Sequence, residues 1–238
     1  MNGSIVIPRV FCGPPDSGNG GYSAGRLAAF IDGPAEVTLR RPPPLDRPLR
    51  VMRRDDDVVA MLDGDEVVAA AVATTVEGEV PPPVTIAQAN EATERCPFLL
   101  HPSWHPFPSC FVCGPDRSPG EGMRLFTGPV PDRDDYATSW VPAPHLCDDD
   151  GLVAPEFVWA ALDCPSSAGI YATGEQPDAP FVLGRLAVRI DERPPANEPL
   201  VAHAWRVCIE GRKLFAGSAL RNESGQVFAV ARATWIRI

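Results

Sequence analysis

Two stretches of this chain, VTLRRPPPLDRPLRV (37–51) and VRIDERPPANEPLVA (188–202), carry one pattern twice. Val37 matches Val188, Leu39 matches Ile190, Pro43-Pro44 match Pro194-Pro195, and Pro48-Leu49 match Pro199-Leu200, all at one offset. Each stretch reads as a strand, a proline-rich turn and a second strand. A further pair follows in the same order. GDEVVAAAVATT (64–75) and GQVFAVARATWI (225–236) alternate as strands entered through a glycine turn, Val67, Ala69, Ala71, Ala73 and Thr74 answering Val227, Ala229, Ala231, Ala233 and Thr234. One such match is within the reach of chance. Two in sequence point to duplication, which restricts the fold to two copies of one unit. The wider spacing in the second copy implies longer central strands there, such as HAWRVCIEG (203–211).

Each copy also offers a helix ahead of its strands. GYSAGRLAAFI (21–31) has small residues with Leu and Phe at helical spacing and stops at Asp32-Gly33-Pro34. APEFVWAALD (154–163) has Pro155 and Glu156 suited to a first turn, and Pro165 limits its end. A strand precedes each helix, at 4–10 and 135–141. The expected organisation is a first unit at 1–80, a Pro-rich connector at 81–104 and a second unit at 105–238. The expected class is α+β, with helices packed on antiparallel strands.

Charge and cysteine use exclude several partners. The 238 residues carry a net charge of −10, the wrong sign for a nucleic-acid groove or an anionic membrane surface. No stretch approaches the ~20 apolar residues of a membrane span. The N-terminus MNGSIVIPRVFCG lacks a signal-peptide pattern, and seven irregularly spaced cysteines suit reduced thiols, so a cytoplasmic location is expected.

Gly21-Tyr22-Ser23-Ala24-Gly25 fits the G-x-S-x-G pattern of a nucleophile elbow, but too few residues precede Ser23 to build the sheet that an elbow needs. The phosphate-loop reading of Gly20–Leu27 fails because Arg26 and Leu27 replace the required lysine and hydroxyl. What the stretch offers is Asn19-Gly20-Gly21 at a helix start. Glycines there let a ligand approach the backbone, and unsatisfied N–H groups with the helix dipole favour an oxyanion; close helix packing is the alternative use of the same glycines.

Asn19-Gly20-Gly21-Tyr22, with the strands VTLRRPPPLDRPLRV and DGDEVVAAAVAT, resembles the hotdog-fold acyl-CoA thioesterases. The second half resembles members whose unit opens with CFVCG, here Cys110–Gly114. The duplication makes the resemblance one to the double-hotdog form, in which two long helices are wrapped by a continuous antiparallel sheet. It implies hydrolysis of acyl-CoA or acyl-carrier thioesters without a cofactor. It also implies a carboxylate eight residues after the first glycine: Ala28 in the first helix, Asp163 in the second. The expected site is therefore composite, with Gly20 and Gly21 polarising the carbonyl, Asn19 orienting it, and Asp163 activating water or attacking directly. Glu156 is the reserve carboxylate, and Tyr22 and Ser23 are expected against the substrate. The equivalent second site, with Pro155 and Ala28, should be dead. Pairing into a homodimer is compatible with this organisation.

Two rival readings stand beside this one: a catalytically silent acyl-CoA-binding or scaffold protein, and, ranked lower, a hotdog hydratase or dehydratase. The last needs a carboxylate–histidine pair near the helix, and none of His101, His105, His145 and His203 lies on either helix. Cys96, Cys110, Cys113 and His105 have spacing compatible with a structural zinc, though a loop anchored by Phe107, Phe111 and buried thiols is the preferred reading. Arg40, Arg41, Arg185 and Arg189 are placed either to meet CoA phosphates or to point outward. RRDDD (53–57) reads as a solvated hairpin turn.

Overall fold

Alternation of small and β-branched residues produces one antiparallel sheet. A computed structural model of the chain describes residues 3–54, 57–171 and 175–238; Asp55 and Asp56 of the expected hairpin turn lie outside them. In the first half the strands are β1 (Gly3–Val6), β2 (Ala35–Leu39), β3 (Pro48–Arg53), β4 (Val59–Asp63) and β5 (Glu66–Ala73). In the second they are β6 (Gly128–Pro129), β7 (Asp135–Trp140), β8 (Phe181–Ile190), β9 (Leu200–Glu210), β10 (Lys213–Asn222) and β11 (Val227–Arg237). Their spatial order is β1-β3-β4-β5-β2-β8-β11-β10-β9-β7-β6.

That order is the duplication made visible. Reading outward from the centre, β2-β5-β4-β3-β1 is answered by β8-β11-β10-β9-β7, with β6 as an extra edge. The halves join where β2 pairs antiparallel with β8, Ala35 facing Val188, Glu36 facing Ala187 and Val37 facing Leu186. The offset that relates Val37 to Val188 also relates Glu36 to Ala187, so the pseudo-twofold axis passes through the Glu36–Ala187 pair. The second-half strands are the longer ones, as their wider spacing implied.

Two helices lie on the inner face. α1 (Gly20–Ala28) and, later in the chain, α4 (Pro155–Ser166) pack against each other and the sheet. Between them come α2 (Ile86–Glu94) and the single turn α3 (Pro97–Leu100). α1 is shorter than the expected 21–31, ending before the turn at Gly33, whose φ of +80° suits glycine. Gly21 and Gly25 face α4. A Cβ at Gly21 would lie 2.7 Å from Trp159 O, and one at Gly25 would lie 2.7 Å from Glu156 Cα. The G-x3-G spacing thus lets two antiparallel helices approach closely. Leu27 and Leu162 are fully buried in one core with Val37, Leu49, Leu186 and Leu214 from both halves. Each such side chain contributes about 1.5–3 kcal/mol relative to exposure.

The connector segment carries a helix that the sequence pattern did not mark. α2 starts with a capping box in which Thr85 and Gln88 satisfy each other's backbone N–H groups, and it buries Ala89 and Ala92 beside β7. Alanines give too weak a periodicity to mark such a helix.

Candidate active site

The site grows from the cap of α1. Asn19 Oδ1 accepts the Tyr22 N–H at 2.9 Å, which fixes the amide and turns Nδ2 towards α4. Nδ2 donates to Asp163 Oδ2 at 3.2 Å and reaches the sulfurs of Cys164 at 3.6 Å and Cys110 at 3.9 Å. The Gly21 N–H donates to the same Asp163 oxygen at 2.7 Å. A Cβ on Gly21 would sit 2.4 Å from Asp163 Cβ, so the contact exists because residue 21 has none. Asp163 does not cap a turn of its own helix; its side chain crosses to the first half. Its other oxygen, Oδ1, is buried without a hydrogen-bond partner among the described residues.

Electrostatics follow from this burial. Asp163 is 1% exposed. Desolvation pushes its carboxyl up to about 7; the Gly21 hydrogen bond opposes the rise, nearby Cys110 adds to it, and Asn19 opposes it again. The segment carrying it is locked despite Pro165, which removes one helical N–H. Ser166 Oγ donates to Asp163 O at 2.6 Å, Ser218 Oγ to Leu162 O at 2.7 Å, and Trp235 Nε1 to Ser166 Oγ at 2.8 Å. Hydroxyls from β10 and from the helix itself thus satisfy carbonyls of the last turn.

Asp163, Asn19 and Gly20 open onto one cavity of about 410 Å³. Its walls come from both halves: the α1 turn and the end of β2 from the first, and Phe107, Phe181, Leu183 and Trp235 among others from the second. The lining is mainly apolar, with a few convergent polar groups, as in small-molecule sites generally.

No family model and no curated protein sequence matches the chain. Solved structures do match over its full length. A candidate thioesterase II from Thermobifida fusca is 14% identical, with a TM-score of 0.62 covering 100% of this chain and 92% of that one. A candidate thioesterase from Novosphingobium aromaticivorans is 12% identical, with a TM-score of 0.60 covering 99% and 94%. The TesB protein of Mycobacterium avium subspecies paratuberculosis is 12% identical, with a TM-score of 0.57 covering 94% and 89%. The chain has the double-hotdog fold.

Within this double hotdog several expected site residues stand elsewhere. Gly21 is not a free donor, because Asp163 already takes its N–H. Only Gly20 remains, on the cavity wall; among the described residues its N–H donates to no protein group. Tyr22 and Ser23 do not reach the cavity, since successive helical residues rotate away from it. Tyr22 stacks on Phe11 at 4.3 Å, and Ser23 is fully buried. Glu156 lies at the opposite end of α4 from Asp163 and faces Arg26 at 3.8 Å. Arg40 and Arg41 line the cavity, Arg41 while paired with Glu66; Arg185 pairs with Glu36 and Arg189 with Asp191. The pseudo-equivalent position carries different groups. Ala154 provides no side-chain cap, Pro155 has no N–H, and Ala28 replaces the carboxylate.

The cysteine group also differs. The three sulfurs within 4.8 Å of one another belong to Cys110, Cys113 and Cys164; Cys96 starts α3 and is not among them. Cys164 was missed because it lies on the other side of the second unit's first strands and follows Asp163 as an ordinary helix residue. A second omission is a buried pair on the sheet, His203 Nε2 to Asp135 Oδ2 at 2.7 Å. It supplies a carboxylate and a histidine, but neither lines the cavity.

Proposed function

We propose that the protein hydrolyses acyl thioesters at a single composite site between its two hotdog units. The observation that carries this is the Asp163 carboxylate of one unit meeting the first turn of α1 from the other, on the wall of a mainly apolar cavity. Gly21 N–H and Asn19 Nδ2 hold Oδ2, leaving Oδ1 as the acceptor without a partner among the described residues. A buried acceptor of this kind costs stability and calls for a functional explanation. Taking a proton from water supplies one.

In this reading the thioester carbonyl lies against the Gly20 N–H at the positive end of α1. Water attacks the carbonyl carbon as its proton passes to Asp163, and the negative charge builds on the oxygen facing Gly20. One oriented donor of this kind is worth about 3–4 kcal/mol of barrier. The tetrahedral intermediate then expels the thiolate, which recovers the proton from Asp163, so the enzyme returns unchanged. The apolar wall takes the acyl group, and Arg40 at the cavity, with the Glu66-paired Arg41 beside it, supplies the cation that the phosphates of a CoA or carrier arm need on a chain of net charge −10. The names of the three structural neighbours, two candidate thioesterases and a TesB protein, support the same chemistry.

The test is thiol release by two variants. Asp163→Asn keeps the shape and both donated hydrogen bonds but removes the base, so turnover should fall at least about 100-fold, the usual scale of general-base catalysis. Glu156→Gln should leave turnover near the parent level. The reverse pattern would move the site to the other end of α4.

A further inference from the structure

We propose that Cys110, Cys113 and Cys164 form a three-thiolate site for one zinc ion, with its fourth position opening onto the cavity beside Asp163. The three sulfurs lie close to the spacing of a zinc-thiolate centre. Tetrahedral zinc with bonds of about 2.3 Å to sulfur sets its sulfurs about 3.8 Å apart. Cys110 Sγ and Cys164 Sγ lie 3.8 Å apart, and all three sulfurs lie within 4.8 Å of one another.

The local backbone explains why. In Cys110-x2-Cys113-Gly114 the Gly114 N–H donates to Cys110 O at 2.9 Å, closing a turn that brings both sulfurs to one side. A Cβ on Gly114 would lie 2.4 Å from Pro108 O and 2.5 Å from Cys110 O, so this turn requires glycine at its exit. The third sulfur arrives from a different element, the last turn of α4, whose position is fixed by Ser218 and Trp235. C-x2-C with a ligand from a separate helix is a familiar zinc arrangement.

N–H donors lie beside the sulfurs, the support that thiolate ligands use. Asn19 Nδ2 reaches Cys164 at 3.6 Å and Cys110 at 3.9 Å. His105 Nδ1 accepts the Phe107 N–H at 3.0 Å, so the proton of the neutral ring is on Nε2, which donates to Cys113 Sγ at 3.3 Å. His105 is therefore a hydrogen-bond partner of a ligand and not a ligand, which corrects its expected role. Three protein ligands and an open fourth position mark a site that can accept water or another small ligand. All three cysteines line the cavity, so that position faces it.

The experiment measures metal on the whole chain, independently of any thioester turnover. Protein purified without chelator or added zinc should contain one zinc per chain by mass spectrometry. Replacement by cobalt should give tetrahedral visible bands and a charge-transfer band with the intensity of three thiolates. Cys164→Ser should lose the zinc or cut that band by a third, while Cys96→Ser changes neither. Zinc well below one per chain, or a cobalt spectrum without thiolate charge transfer, would overturn the proposal. The cobalt spectrum of the unaltered protein decides the matter even if Cys164→Ser does not fold. Because none of these readouts uses a thioester, zinc can be absent from an active thioesterase or present in an inactive binder, and the two proposals fail separately.

Discussion

A methyl group on residue 21 would lie 2.4 Å from Asp163 Cβ and 2.7 Å from Trp159 O, and the backbone atom cannot swing aside. Gly21→Ala must therefore push α1 from α4, at a cost of about 1–3 kcal/mol, as for other overpacked contacts. It should also lengthen the Gly21 N–H bond to Asp163. Urea unfolding should show the lower midpoint; an unchanged midpoint would mean that the helices approach less closely than described. Asn19→Ala removes the α1 cap and one donor to Asp163 together. The cap alone accounts for about 1 kcal/mol, and thiol release should fall with it, whereas a simple cap would affect stability only. At this scale the sequence was informative about residue types and weak about directions. Asn-Gly-Gly marked the turn and Asp163 the carboxylate, but whether the Gly21 N–H points at substrate or at Asp163 depends on how α4 crosses α1. The same crossing decides that Tyr22 and Ser23 face the core.

The end of α4 is the element on which the site depends. Pro165 weakens its last turn, and the hydroxyls of Ser166, Ser167 and Ser218 accept the task of satisfying carbonyls at Asp163, Cys164 and Leu162. Ser218→Ala leaves the Leu162 carbonyl without its β10 partner and should cost about 1 kcal/mol, the usual value of one hydrogen bond. Calorimetric unfolding would read this as a lower Tm, and an unchanged Tm would contradict the contact's role. Elements with strong alternation, such as 64–75 and 225–236, were legible because a half-buried strand needs that pattern. α2 was not, since Ala89 and Ala92 fit against β7 through small size and leave no bulky stripe to read. Cys164 was hidden for a related reason. Its partners Cys110 and Cys113 lie far off in sequence, and only the packing of α4 under the CFVCG turn brings the sulfurs together.

At the scale of the whole molecule, the two copies share one sheet across the Glu36–Ala187 pair but not one set of side chains. Symmetry was legible from the repeated blocks, and its consequence for the site was also open to sequence reasoning, since Pro155 and Ala28 lack the groups that Gly20 and Asp163 bring. The Pro-rich connector is tied to the outer face by a network that the repeats gave no hint of. Arg133 donates to Pro82 O and Pro83 O, Arg221 donates to Pro81 O, and Arg133 also meets Asp135, the partner of buried His203. Burial lowers the His203 pKa, and the Asp135 hydrogen bond offsets this only in part. Burial raises that of Asp135, but hydrogen bonds from His203 and Arg133 bring it below its ordinary value. Both groups thus bind fewer protons in the folded chain than in the unfolded one, so stability rises with pH. The His203 contribution is complete above about pH 6.5 and is lost as pH falls below it; that of Asp135 is lost further down, below about pH 4. His203→Gln should flatten the fall in Tm between about pH 7 and pH 5, and parallel curves for the two proteins would show that the pair does not control it.

Thiol release from short, medium, long and aromatic acyl-CoAs by the purified protein, alongside calorimetric binding of CoA esters, tests for one thioester-hydrolysing site per duplicated chain. Turnover of at least one class well above the blank, with one ligand bound per chain, is the expected result. Binding without turnover across the panel would rule out the proposed hydrolysis and leave a double hotdog that holds thioesters without cleaving them.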